Sequence, residues 1–217
     1  MMIDARTYQL YPHRVADFLV DYPKLGLPVQ LRHGAKLQGY FMTISGTLNQ
    51  AVHYWLYDGA GDREATRKAF STDPDWAVYV KTNPGRFYRQ HTRFLVPTKF
   101  SPLGNGPLPK WGGKGIYEER SYIIRDSVPG YIAKFEEMAL PVLKSVGNTL
   151  VGFFSVDTGE INQIVHIWRW ESLDARLAAQ AKLGASTDWS AYRKENGPRI
   201  LQQDTRLMQP VEFSPMQ

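Results

Sequence analysis

The stretch from Gly46 to Asp58, GTLNQAVHYWLYD, returns from Gly159 to Glu171 as GEINQIVHIWRWE, with Asn, Gln, Val, His and Trp in the same places. Sliding residues 27–102 by 113 positions onto residues 140–215 gives 28 identities in 76 ungapped pairs. Average composition would give roughly one in sixteen. The chain is therefore a tandem duplication, and its fold has to be one unit built twice.

The matches run in order through each half, from Leu27-Pro28 and Leu140-Pro141 to Phe100-Ser101-Pro102 and Phe213-Ser214-Pro215. Upstream, Arg6–Tyr8 (RTY) pairs with Arg120–Tyr122 (RSY) after an offset of one more residue. Between the halves, residues 103–116 are rich in Gly and Pro and read as a linker. We expect two domains, 1–102 and 117–217, joined by that linker.

Each half predicts the same order of elements. A first strand runs near Ile3–Leu10, or Tyr117–Ile124, and a helical region follows from about Val15 to Leu31, or Val128 to Ser145. Its prolines permit a break or kink. A second strand near Leu37–Ile44, a turn carrying Gly46 and Asn49, and the repeated stretch as third strand make a hairpin. Arg63–Phe70 and Asp75–Lys81 read as helical, with Asp73 or Asp75 as cap, and Arg86–Val96 as the fourth strand. The order β-α-β-β-α-β is the ferredoxin-like unit of an α+β fold. Its sheet carries helices on one face only, so the other face needs a partner. The second half supplies it, closing an intramolecular α/β barrel about a pseudo-twofold axis.

Alternation along the third strand puts Gln50, Val52, Tyr54 and Leu56 on one face and His53, Trp55 and Tyr57 on the other. The second copy repeats this with Gln163, Val165 and Ile167 against His166, Trp168 and Trp170. The mainly aliphatic face suits helix packing, which assigns the His-aromatic face to the barrel interior. Arg6 and Tyr8, Arg120 and Tyr122, and Arg93 and Arg206 are repeated polar positions expected to join it. Candidate catalytic residues are His53 and His166; candidate substrate-binding residues are Arg6, Tyr8, Trp55, Arg93, Arg120, Tyr122, Trp168 and Arg206. Arg6 beside Asp4, and Arg120 beside Glu118, are read first as structural ion pairs that orient the strands. Positions where the copies diverge, such as Tyr54 and Ile167 or His91 and Asp204, would make the ends of a pocket unlike.

Several classes drop out. The chain has no cysteine, which excludes disulfides, thiolate nucleophiles and Fe–S clusters. Its net charge of +5 is dispersed, with no basic run to suggest nucleic acid. No apolar run approaches a membrane span and the first residues show no signal or presequence pattern, which leads us to expect a cytoplasmic protein without membrane insertion. GxGxxG, P-loop, GxSxG and HExxH motifs are absent, and no histidine pair has metal-ligand spacing. No cofactor is therefore expected.

With the repeated NQAVHYWLYD and NQIVHIWRWE, the opening RTYQL, GLPVQLRHGAKLQGYF, DPDWAVY and PTKFSP, the sequence resembles the NIPSNAP family over nearly its whole length. The resemblance implies the dimeric α/β barrel superfamily, whose members include cofactor-independent monooxygenases, haem enzymes, isomerases and lyases. It transfers no catalytic set. We expect a small-molecule ligand, anionic or aromatic, in the barrel: arginines hold an oxygen, aromatic rings stack on a planar body, and histidine moves a proton. The competing expectation is a non-catalytic scaffold with a filled interior, Arg–acid pairs closed on themselves and no ligand-sized cavity. Haem held by one histidine is a third reading. The tandem chain standing alone and its pairing into a homodimer are both open.

Overall fold

The computed structural model describes residues 1–82, 84–107, 110–111 and 115–217. The first half contains β1 (Met2–Leu10), α1 (Val15–Asp21), α2 (Leu27–Arg32), β2 (Lys36–Thr43), β3 (Gln50–Tyr57), α3 (Ala60–Ser71), α4 (Pro74–Thr82) and β4 (Phe87–Pro97). The second contains β5 (Ile116–Ile124), α5 (Val128–Lys134), α6 (Leu140–Ser145), β6 (Thr149–Val156), β7 (Gln163–Trp170), α7 (Leu173–Ala185), α8 (Thr187–Asn196) and β8 (Ile200–Pro210). All strand pairs are antiparallel, in the closed ring β1-β3-β2-β8-β5-β7-β6-β4. The halves join at β2–β8 and β4–β6, where Phe41 faces Pro210 and Pro97 faces Phe154. These joints are equivalent under the repeat, as a twofold relation requires.

The break or kink that the prolines permit in the first helical region takes the form of a widened turn. Residues Tyr22–Gly26 and Phe135–Ala139 form π turns, with the Leu27 N–H on the Tyr22 carbonyl and the Leu140 N–H on the Phe135 carbonyl. Pro28 and Pro141 follow directly; lacking an N–H, each leaves one ordinary helical bond unmade, and the wider turn carries the helix through. Gly46 and Asn49 turn the β2–β3 hairpin with φ of +71° and +59°. Asp73 is the cap of α4, its Oδ1 accepting from the Asp75 N–H at 2.9 Å.

The barrel interior holds Ile3, Ala5, Phe41, Val52, Tyr54 and Leu95 of one half against Tyr117, Val151, Phe154, Val165, Ile167 and Met208 of the other. Leu103, from the Gly/Pro-rich connection, is fully buried among them. This reverses the expected faces. Val52 and Tyr54 point into the barrel, whereas Trp55 and Tyr57 pack with Phe18 and Tyr22 beneath the first pair of helices, and Trp168 and Trp170 with Tyr131 and Phe135 beneath the second. An eight-stranded barrel can be filled by its own side chains, and here aliphatic residues share the interior with Phe41, Tyr54, Tyr117 and Phe154. The tryptophans of β3, β7, α4 and α8 lie instead between sheet and helices.

Candidate functional site

The strand register builds the same polar constellation twice, between sheet and helices. On β1 and β3, Asp4 lies opposite Trp55 and Arg6 opposite His53; on β5 and β7, Glu118 lies opposite Trp168 and Arg120 opposite His166. Asp4 is completely buried and accepts from Arg6 Nε at 2.9 Å, from Arg63 Nε at 2.6 Å and from the Thr92 hydroxyl. Glu118 accepts from Arg120 at 2.9 Å, Arg176 at 2.7 Å, Trp170 Nε1 at 3.0 Å and Thr205 at 3.1 Å. Burial pushes both carboxyls up, but the guanidinium and hydroxyl donors outweigh it, holding Asp4 below its ordinary value and Glu118 at about 2. Each acid anchors one arginine from its own strand and one from the overlying helix α3 or α7.

The histidines have a defined protonation state. Trp55 Nε1 lies 2.6 Å from His53 Nδ1, and Trp168 Nε1 lies 2.6 Å from His166 Nδ1. An indole N–H only donates, so each Nδ1 accepts and the proton of the neutral ring sits on Nε2. Burial and then the nearby Arg6 push His53 well below its ordinary value; burial and Arg120 do the same to His166. Both rings are neutral near pH 7. Neither Nε2 has a hydrogen-bond partner within the protein. Tyr40 stacks on His53 at 4.5 Å with Tyr8 edge-on at 4.7 Å, and Phe153 and Tyr122 repeat this around His166 at 5.1 and 4.8 Å. A buried N–H without an acceptor is costly, and here the same cost is incurred twice.

Both constellations open on cavities. The first, of about 380 Å³, is lined by Arg6, Tyr8, His53, Arg67, Trp76 and Tyr79 among others. The second, of about 990 Å³, is lined by Arg120, Tyr122, His166, Trp168, Trp189 and Tyr192 among others. Both fall in the size range of small-molecule sites. Arg6, Tyr8, His53 and Trp55 thus come together in one half, and Arg120, Tyr122, His166 and Trp168 in the other, beneath helices and not inside the barrel.

Arg93 and Arg206 do lie within the barrel. Arg93 Nη2 and Arg206 Nη2 converge on Glu119 Oε1 at 2.8 and 2.9 Å, and the Tyr54 hydroxyl donates to the other carboxylate oxygen. Ser121 and Gln163 accept from Arg93 Nη1, and Thr7 and Gln50 from Arg206 Nη1, while Arg206 Nε is buried without a partner among the described residues. This network floors a third recess of about 490 Å³ at the barrel mouth.

Sequence reasoning missed Arg63 and Arg176, Thr92 and Thr205, Glu119 and Arg67. The first four were visible, since each pair obeys the 113-residue offset. Glu119 and Arg67 carry no repeat signal, because Ala5 and Gln180 stand in their places. Among the described residues no three His, Asp or Glu side chains are grouped to hold a metal, and no helix is long and apolar enough to cross a membrane.

The sequence pattern of the NIPSNAP family matches residues 3–102 and again residues 117–215. The chain belongs to the NIPSNAP family. Protein NipSnap homolog 3A of Homo sapiens is 26% identical to this NIPSNAP chain over 214 residues, covering 97% of it and 84% of the human protein. Homolog 3B of Homo sapiens is 27% identical over 215 residues with the same coverage. Among solved structures, a monooxygenase-like protein from Lactobacillus acidophilus NCFM superposes with a TM-score of 0.65 at 9% identity, over 98% of this chain and 97% of that one. At such identity the likeness concerns the fold alone.

Proposed function

We propose that this NIPSNAP protein binds small planar molecules bearing an electron-rich oxygen in the two cavities between sheet and helices. One observation carries the reading: each cavity is bordered by a neutral histidine whose Nδ1 is held by an indole and whose Nε2–H has no acceptor. A carbonyl, enolate or carboxylate oxygen completes that donor, with Arg6 or Arg120 alongside, and the surrounding rings take the planar body. The set also suits stabilisation of an oxyanion or enolate in cofactor-independent oxygenation, isomerisation or lyase chemistry. In such a reaction His53 and His166 act as hydrogen-bond donors. They are poor bases there, since Nε2 already holds its proton and the Nδ1 lone pair is engaged.

The same tautomer argues against haem. An axial histidine offers one nitrogen lone pair to iron and donates its other N–H to an acceptor, whereas here Nδ1 accepts and Nε2 is protonated. The residues present do not fit the group. The scaffold reading gains from the closed Arg93–Glu119–Arg206 network but leaves both sub-helix cavities and both unsatisfied histidines without a purpose.

The test is native mass spectrometry of the purified protein beside its denatured mass, with His53→Phe and His166→Phe variants. Extra mass released on denaturation, and diminished in a variant, supports the reading. A bare mass, together with no binding of aromatic carboxylates or their amides to the wild type, would refute it.

A further inference from the structure

The two constellations share their acid, arginine, tyrosine, histidine and tryptophan, so the places where the cavities beside them differ are an internal comparison. The first is lined by Arg6, Arg67 and Arg86 and by no acid. The second is lined by Arg120, Arg176 and Arg193 but also by Glu118 and Asp204. The excess of cations is therefore three in the first lining and one in the second.

Arg67 is the source of much of that contrast. It projects from α3 one helical turn beyond Arg63, and it takes part in no ion pair among the described residues. Its shown contact is with the Phe70 ring, 5.6 Å from the guanidinium carbon. Arg63, Arg6 and Thr92 bond directly to Asp4, whereas Arg67 does not. Burial and the neighbouring Arg6 push Arg67 below the ordinary arginine value: a cation crowded by a cation at the edge of a cavity lined by aromatic rings. In the second half the corresponding residue is Gln180, which is uncharged and accepts from Arg176 at 3.4 Å. Arg193 there is exposed, and the same lining carries the acids Glu118 and Asp204.

We infer that the cavities differ in charge selectivity: the first is an anion site for a planar carboxylate with Arg67 as its specificity-determining residue, and the second, with Gln180 in that place, lacks this preference. The inference rests on the ligand-binding reading above and adds the ligand class of one of its two sites. A carboxylate between Arg6 and Arg67 relieves their mutual repulsion and gains charge-assisted hydrogen bonds, while its ring lies among Tyr22, Trp76 and Tyr79. An uncharged amide of the same shape gains the stacking but not the charge term.

The experiment is calorimetric titration of the full chain with naphthoate and, separately, with naphthamide, using wild type, Arg67→Gln and Gln180→Arg. Glutamine is what the other repeat tolerates at this position, so the first variant is expected to fold, and its melting curve checks this. We expect one tight naphthoate per chain, a loss of roughly tenfold or more in Arg67→Gln, unchanged naphthamide binding in that variant, and strengthened naphthoate binding at the second cavity in Gln180→Arg. Naphthoate binding equally at two sites, or unaffected by Arg67→Gln, overturns the charge assignment and leaves the ligand-site reading standing. Failure of both compounds to bind any of the three proteins sinks that reading and the inference with it.

Discussion

Replacing Glu119 by glutamine leaves two guanidinium groups facing each other inside the barrel with no counter-charge. Glu119 is 4% exposed, and the side chains of Arg93 and Arg206 are 26% and 17% exposed, so the network is largely but not wholly shielded from water. Burial alone would raise the Glu119 carboxyl; Arg206 and Arg93, helped by the Tyr54 hydroxyl, instead lower it to about 2 from its ordinary 4.5. That displacement corresponds to about 3 kcal/mol favouring the ionised form in the native state. It agrees with the roughly 3–5 kcal/mol lost when one partner of a buried ion pair is removed. Solvent reaching the two arginines places the expected cost of Glu119→Gln at the lower end, about 3 kcal/mol.

The assay is urea unfolding of wild type and Glu119→Gln across pH. Because the folded pKa is depressed, the contribution is complete above 4.5 and is lost as pH falls through about 2. The stability gap between the proteins should therefore be widest near neutrality and close on acidification through that window. Asp4 and Glu118 weaken over a similar range in both proteins and cancel in the difference. A gap under about 0.5 kcal/mol at neutral pH, or one that persists unchanged in acid, would refute the idea that Glu119 is the charge on which the halves converge.

His53 and His166 should retain neutral, Nε2-protonated nitrogen-15 signals at about pH 5.5, where a histidine of ordinary value 6.5 is mostly protonated. Their lowered values make the associated stability complete above 6.5 and progressively lost below it; imidazolium signals in the folded protein at that pH would count against it. Trp55→Phe removes the donor that holds His53 Nδ1, and should cost about 1–2 kcal/mol and shift the ring toward a mixture of tautomers, read by the same spectra. In Gly39→Ala the new Cβ would lie 2.7 Å from the Phe41 ring and 3.1 Å from Met216 sulfur. Overpacking at that bulge should lower stability by about 1–3 kcal/mol, measured by thermal unfolding.

The architecture was legible because duplication leaves a signal that local propensity cannot erase. Gly39 and Gly152 recur at the same offset as the bulges they serve, and Pro97 and Pro210 recur at the strand ends where the halves join. The site was legible as a set of residues: alternation correctly grouped Arg6 with Tyr8 and His53 with Trp55. What alternation cannot give is which face of a strand is inside. Polarity was the wrong guide to that choice. The interior does hold charges, with Arg93 and Arg206 gathered on an acid that the repeat does not predict and Arg169 beside Tyr117; Val52, Phe154 and Ile167 lie there too.

The difference between the two halves follows from the same geometry. A residue inside the barrel lies close to the pseudo-twofold axis, so one copy can serve both halves: Glu119 satisfies Arg93 and Arg206 together, and Ala5 occupies the matching place without loss. Beneath the helices the two sites are far from the axis, and neither can borrow from the other. Each keeps its own acid, arginine pair, histidine and indole, whereas Glu119 is present once. A function exercised near the axis would tolerate single copies, whereas one exercised in each half has to repeat its chemistry. On the ligand-binding proposal, the doubled acid, arginine, histidine and indole suit one site beneath each pair of helices, and a departure such as Arg67 against Gln180 would bear on what each site selects.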